Sequence, residues 1–239
     1  MDLTATQWTP ASYTEFLTFL ESKRHESARE RAAKIVRTNY PLLGISMADL
    51  KAWGTAISQG DPAGFLAVAD TAFYEVILVR AYVISQLRLD LPDFVAACDR
   101  YFATADCWAI CDMAIHFKQV KRYPAEFLTT IDRYLQSGQP WFQRSGLVFL
   151  LKFYLTPDFR DQAFTRVLSV TSEDYYVQLG QAWFLATAFK DDPDRIYQIL
   201  EALPVPLVQR TVQKIKSLSR TTPDQKHVLT GILAQRRAE

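Results

Sequence analysis

The sequence predicts an all-α protein, and three observations support this fold class. Apolar residues recur at the three- and four-residue spacing of helices along nearly the whole chain. Only eight glycines occur among the 239 residues, too few for the many tight hairpins of a β-rich domain. Prolines and short polar residues stand where helices would begin. We therefore expect about fourteen helices and no strand.

The spacing of these helices indicates a repeat architecture. Helix pairs follow one another about every 35 to 45 residues, the period of HEAT-like repeats. Each pair buries its apolar face against the next, which predicts a curved superhelical stack of antiparallel helix pairs with one concave face. No linker is long or polar enough to divide the chain. We expect a single HEAT-like repeat domain over residues 1–239.

The N-terminal part contains distinct helix-start signals. Ser12 and Glu15 have the spacing of a capping box, which predicts a helix start at Ser12. A charged helix is expected over residues 25–37. Ser46 is then expected to cap a helix that runs through Ile57.

The same pattern continues to the C-terminus. Residues 72–88 predict a strongly apolar helix, and another helix follows Pro92. Asp106 is expected to open a central helix that runs to about Lys118. Four of the later prolines are each interpreted as a first-turn or pre-helix residue, namely Pro124, Pro140, Pro157 and Pro193, and Thr222 is expected to cap the last helix.

Composition bounds the class of protein. Apolar residues make up 49% of the chain and aromatic residues 13%, which is typical of a folded domain with a large core. The sequence has neither an apolar run of about eighteen residues nor the basic and then apolar start of a signal peptide. Three cysteines cannot all pair within one chain, which favours reduced thiols in the cytoplasm. The net charge of +1 is low for a DNA-binding protein, although a local basic patch can coexist with it.

The central candidate site is the segment from Cys107 to Asp112. Trp108 and Asp112 are four residues apart, so a helix places both side chains on one face. An indole face beside a carboxylate suits a cationic ligand. The alternative is structural, with a core tryptophan and an aspartate that caps a helix or pairs with a cation.

Two later segments add an arginine and more indoles. Arg144 follows Trp141 and lies on the apolar stripe of its helix, where a guanidinium needs an anion such as Asp112 or a phosphate. Trp183 lies in another apolar helix, preceded by Tyr176. An Asp112–Arg144 pair would also be consistent with a purely structural role.

Other polar groups in apolar surroundings leave alternatives open. Glu75 is either a second acid near the site or a core carboxylate bonded to a tyrosine or a backbone amide. Cys107, Cys111 and His116 share a helix, but a zinc site wants four ligands and a fourth is missing. A Cys–His nucleophile is conceivable, and buried inert thiols are the simpler interpretation.

Basic residues form two groups that we interpret as candidate phosphate contacts. The first follows the central helix and the second lies in a late helix. A solvated charged face is the alternative for both. The candidates are Lys118, Lys121, Arg122, Arg210, Lys214 and Arg220.

In their order and spacing, Trp108-x-x-x-Asp112, Trp141-x-x-Arg144 and Trp183 resemble the pattern of the HEAT-like-repeat DNA glycosylases, the alkylpurine family of DNA alkylation repair enzymes. Residues 43–50 and 213–220 support the similarity, which runs from about Tyr40 to about Arg220. The resemblance implies hydrolysis of the N-glycosidic bond of cationic N3- or N7-alkylated purines. It assigns catalysis to Asp112 and lesion binding to Trp108, Trp183 and Arg144, with Tyr176 as a further lining residue.

The resemblance also implies the partners. We expect a monomer that acts on double-stranded DNA with alkylated bases in the bacterial cytosol, without a metal, an organic cofactor or a membrane. The chain departs from better-known members at Ala109, Gly146, Gln178 and Leu179, the last two standing where those members have basic residues. Two other hypotheses therefore stay open, a DNA-binding protein that recognises distorted DNA without chemistry and a helical scaffold for protein partners.

Overall fold

A computed structural model describes residues 1–238, and every regular element among them is helical. Fourteen α-helices and two short 3-10 helices account for the regular structure of this range, which confirms the all-α prediction. The α-helices are α1 (Pro10–Ser22), α2 (Glu26–Val36), α3 (Met47–Gln59), α4 (Pro62–Val68), α5 (Tyr74–Gln86), α6 (Leu91–Phe102), α7 (Trp108–Asp112), α8 (Leu128–Leu135), α9 (Pro140–Phe153), α10 (Arg160–Ser169), α11 (Tyr175–Ala188), α12 (Pro193–Ala202), α13 (Val205–Lys216) and α14 (Pro223–Ala238). The 3-10 helices are Met113–His116 and Lys118–Arg122.

The contacts of the chain divide it into two compact units, residues 1–128 and 129–239. We call these unit 1 and unit 2. The single domain and the curved stack stay predictions. Within residues 1–238, none of the helices combines the length and apolar character that crossing a membrane requires.

The core of unit 1 is organised around α5. Ten of its thirteen residues are buried, in agreement with the continuous apolar run in the sequence. Helix α3 packs closely against α5 at Gly54. A Cβ atom at this position would lie only 2.5 Å from the Cβ atom of Tyr82. A larger residue at Gly54 would force the two helices apart. The segment before α1 closes one end, where the ring of Trp8 packs edge-on against Phe65 at 4.9 Å.

Unit 2 is organised around α11, which packs against both α9 and α13. Gly180 on α11 faces α9, where a Cβ atom would lie 3.1 Å from Leu147 Cδ1. An ion pair adds to the unit, since Arg166 donates to both carboxylate oxygens of Asp132 at 2.7 and 3.1 Å. The packing of α11 between α9 and α13 places the helices that carry Arg144, Trp183 and Lys214 next to one another.

Several predicted helix starts are confirmed in atomic detail. The Ser46 hydroxyl accepts from Asp49 N at 3.2 Å and caps α3. The Thr222 hydroxyl accepts from Gln225 N before α14, and the Gln225 side chain accepts from Thr222 N in return. Pro140 and Pro193 are the first residues of α9 and α12.

Two other predicted starts are wrong. Helix α1 begins at Pro10 under a Thr9 cap, and Ser12 is the partner of Thr9 in the capping box. The central α-helix begins at Trp108 and ends at Asp112, after which the chain tightens into the 3-10 helix Met113–His116. Asp106 does not cap it, because its carboxylate accepts from Thr38 Oγ1 and Asn39 N on a distant segment.

Candidate functional site

A cavity of about 640 Å³ lies entirely within unit 1. It is bordered by α2, the first turn of α3, α5 and α7, and both Trp108 and Asp112 line it. Its wall is mostly apolar and is interrupted by five charged side chains. This combination is common in small-molecule sites, where apolar walls supply contact and a few polar groups fix orientation.

Trp108 is held in place by a contact from a distant helix. Its indole Nε1 donates to the backbone carbonyl of Ile35, near the end of α2, at 3.2 Å. The side chain is only half-buried and lines the cavity. The hydrogen bond restrains the ring while it remains accessible to a ligand.

Asp112 lies one turn after Trp108 on α7, as the spacing predicts. It is half-buried and lines the same cavity. Lys23, Arg31 and Asp49 are exposed charged residues of the cavity wall. The predicted pair of an indole and a carboxylate is thus present on one wall.

Glu75 is the most buried acid of this cavity, with 2% of its surface exposed. Its Oε1 accepts from Leu43 N at 2.9 Å and Gly44 N at 2.8 Å, which confirms the alternative of a core carboxylate bonded to backbone amides. Its Oε2 is buried without a hydrogen-bond partner. Burial raises the pKa of Glu75, because the ionised form is desolvated.

The loop held by Glu75 packs directly against α2. Gly44 has a φ of 80°, and a Cβ atom there would collide with the backbone of Arg29 and His25. Leu43 also accepts from His25 N through its carbonyl, at 2.9 Å. Only glycine fits at residue 44, on account of both the left-handed backbone and the space.

The cysteines are buried thiols. Cys98, Cys107 and Cys111 are free and buried. Burial raises the pKa of Cys107 to about 11, so this side chain is protonated at neutral pH and is a poor nucleophile. Among residues 1–238, no three His, Cys, Asp or Glu side chains are grouped as metal ligands would be.

In unit 2, the structure brings Arg144, Trp141 and Tyr176 together. Arg144 is buried, with 5% exposed, and its Nη1 donates to the carbonyl of Tyr176 at 2.8 Å. The rings of Trp141 and Tyr176 lie 5.2 Å apart. Arg144 thus ties α9 to the first turn of α11. Its predicted role in binding a lesion or a phosphate stays a prediction.

Trp183 and the basic residues of α13 form a second group in unit 2. The Lys214 ammonium lies 5.8 Å from the centre of the Trp183 ring, and Lys214 itself is exposed. The Arg210 guanidinium lies over the Tyr175 ring at 5.1 Å and donates to the carbonyl of Pro206. Helices α11 and α13 therefore present rings and cations side by side.

The remaining candidates for phosphate binding differ in their contacts with other groups of the protein. Arg122 donates to the carbonyl of Leu89 at 2.9 Å and lies over the Tyr123 ring. Lys118, Lys121 and Arg220 are exposed. Their binding to phosphate stays a prediction for all four.

Two of the departures have a structural basis in unit 2. At Gly146 a Cβ atom would lie 3.0 Å from Leu135 Cδ2, so an alanine would press on a packed side chain. Gln178 donates to the carbonyl of Ser172 at 2.8 Å and closes the start of α11. Gln178 thus has a structural role of its own at a position where the resemblance implies a basic residue.

Sequence reasoning missed the contribution of α2 to the cavity. Ala28 and Ala32 line the cavity and the carbonyl of Ile35 binds Trp108, although all three residues precede Trp108 by more than 70 residues. Tyr74, beside Glu75 on α5, also lines the cavity. No local pattern marks these residues, since their role depends on a tertiary contact.

Comparison with known proteins now adds the family. A family model described as DNA alkylation repair enzyme matches residues 17–222 of the chain. Comparisons with curated proteins and with solved structures find no match. Because the family match covers most of the chain and includes every candidate site residue, this protein belongs to the family of DNA alkylation repair enzymes.

Proposed function

We propose that the protein is a monofunctional DNA glycosylase that excises positively charged N3- or N7-alkylated purines from double-stranded DNA. The observation that carries this proposal is the wall of the unit 1 cavity, where the indole of Trp108 and the carboxylate of Asp112 lie one helical turn apart. A cationic base gains from both groups, through the ring face and the negative charge. Membership of the DNA alkylation repair family supports DNA as the partner.

The chemistry follows from the charge of the lesion. Alkylation leaves a formal positive charge on the purine, so the bond from the sugar C1′ to the base nitrogen breaks with its electron pair moving to the base. The base leaves neutral, and the positive charge develops on the sugar. Asp112 stabilises that charge electrostatically. Water adds to C1′, its proton passes to solvent, and the products are the free base and an abasic site.

We assign DNA-strand contacts in unit 2 to the rings and cations of α11 and α13. Lys214 is exposed above Trp183, and cations beside aromatic rings suit a phosphate strand with its bases. The low net charge predicts modest affinity, which should fall as salt rises with a slope set by the number of phosphates contacted.

A base-release assay tests the proposal. The protein is incubated with duplex DNA that carries N7-methylguanine or N3-methyladenine, and free base is measured by chromatography. We expect release above the spontaneous rate. Salt-sensitive DNA binding without release would contradict the glycosylase and favour a recogniser of distorted DNA. No binding even at low salt would favour a scaffold for protein partners.

Filling the cavity is expected to block this activity. Ala32 lines the cavity on α2, whereas its neighbour Ala33 is exposed and lies outside the wall. The substitution Ala32→Trp should lower base release about 10- to 100-fold, because a displacement near 1 Å is enough to misplace the reacting groups. Single-turnover rates measure this effect, with Ala33→Trp as the matched control. Equal rates of base release in Ala32→Trp and Ala33→Trp would show that the reaction does not take place in this cavity.

A further inference from the structure

Unit 1 contains a second cavity, of about 600 Å³, bordered by α4, α5, α6 and the α5–α6 connection. None of its lining residues borders the cavity of Trp108. Most of its wall is apolar, with Leu66, Ile84 and Leu87 among the contributors. Two arginines and one aspartate interrupt this wall, and their arrangement indicates which ligand the cavity suits.

Arg80 is the first of these arginines. It extends from α5, is half-buried and has a buried Nε without a hydrogen-bond partner. Within residues 1–238 it forms no ion pair. Asp70 is a carboxylate that influences Arg80 from a distance, and it already accepts from Tyr13 Oη at 2.5 Å. Burial lowers the pKa of Arg80, as expected for a cation whose charge is poorly compensated.

Arg100 is the second arginine, and it enters the same cavity from α6. It is exposed and forms no hydrogen bond or ion pair through its side chain in the described part of the chain. Asp93 lies two helical turns earlier on the same face of α6 and also lines the cavity. Two guanidiniums against one carboxylate leave the wall with an excess of positive charge.

We propose that this cavity binds a phosphate group through Arg80 and Arg100, with the apolar wall holding the organic part of a phosphate ester. A guanidinium presents paired N–H donors that match the oxygens of a phosphate, and two arginines line this cavity, one from α5 and one from α6. A bound phosphate would also compensate the charge of Arg80, which no ion pair neutralises in the described part of the chain. The phosphate comes either from a small phosphate ester or from the 5′ end of a DNA strand.

Isothermal titration calorimetry of the full chain tests this site at low ionic strength. The probes are inorganic phosphate, adenosine monophosphate, and one oligonucleotide with and without a 5′-phosphate. We expect saturable binding of the phosphorylated probes. Arg100→Ala should weaken it about tenfold or more, since hydrogen bonds to charged groups contribute strongly. Asp93→Asn should strengthen it a few-fold, because it removes a repelling charge.

Arg88→Ala is the matched control, since Arg88 is an exposed arginine outside the cavity wall. It should leave every affinity unchanged. Preference for adenosine monophosphate assigns the site to a small ester, and preference for the phosphorylated oligonucleotide assigns it to a strand end. The proposal is overturned by the absence of saturable binding, or by equal weakening in Arg100→Ala and Arg88→Ala. The measurement does not depend on base release, so its outcome is independent of the proposed glycosylase.

Discussion

The substitution Asp112→Asn is expected to lower base release by about 10²- to 10³-fold, the usual cost of removing one group that stabilises transition-state charge. Asparagine keeps the shape of the side chain and removes the negative charge that the developing sugar cation requires. Affinity for undamaged DNA should not fall, because the lost charge is one that repels phosphates. Single-turnover release of N7-methylguanine measures the effect, and gel-shift binding shows that the DNA complex still forms.

Asp49→Asn provides the matched control for Asp112. Asp49 is an exposed acid of the same cavity wall, so its substitution changes the charge of the cavity equally. We expect a change in rate of less than about threefold, as for a weakly coupled exposed charge. If both variants release base at the wild-type rate, Asp112 is not the carboxylate that stabilises the transition state. If both are slowed alike, the net charge of the cavity is responsible and not this one carboxylate.

The second large effect is on stability and concerns Glu75. Replacing it with alanine leaves the buried amides of Leu43 and Gly44 without an acceptor, and each such donor costs about 1–3 kcal/mol. We expect Glu75→Ala to lower the Tm by about 5–15 °C. Circular dichroism during thermal unfolding measures this change. Glu75→Gln keeps the accepting oxygen and should retain most of the stability, so equal losses in the two variants would contradict this account.

The titration of Glu75 should also make the difference in Tm between the wild type and Glu75→Gln depend on pH. Burial raises the pKa of Glu75 above the value of 4.5 expected for the unfolded chain, so the native state holds this proton more tightly. The associated stability is fully present below pH 4.5 and is lost as the pH rises through the native pKa. The Tm of the wild type should therefore fall relative to that of Glu75→Gln over this range. A relative rise would mean that the native pKa is lowered.

Local signals predicted much of the fold because the interactions behind them are local. Ser46 and Thr222 cap helices through amides three residues away, which can be read directly from the sequence. The spacing of Trp108 and Asp112 likewise placed both on one turn of α7. The prediction failed where a distant partner competes, as at Asp106, whose carboxylate binds Thr38 and Asn39 in place of the following helix.

The candidate site could be predicted only in part for the same reason. Trp108 and Asp112, the two residues of α7 that were predicted for the site, were identified from their spacing. The part of the cavity wall formed by α2 could not be predicted. A backbone carbonyl at Ile35 and the small residues before it have no side-chain chemistry that would mark a site in the sequence. Two alternatives were open for Glu75, and the structure meets both, because this side chain lines the cavity and also binds the amides of Leu43 and Gly44.

The loop at Gly44 has a mechanical consequence for recognition. Glu75 fixes this loop, the loop is wedged against the first turn of α2, and the last turn of α2 fixes the indole of Trp108. The loop at Gly44, α2 and the indole of Trp108 are thus held in fixed positions relative to one another. Few rotatable bonds would therefore have to be ordered on binding of a nucleotide, as proposed above. Little conformational entropy is then lost on association. The free protein should accordingly present a rigid template that selects lesions by fit, without a closing movement before capture.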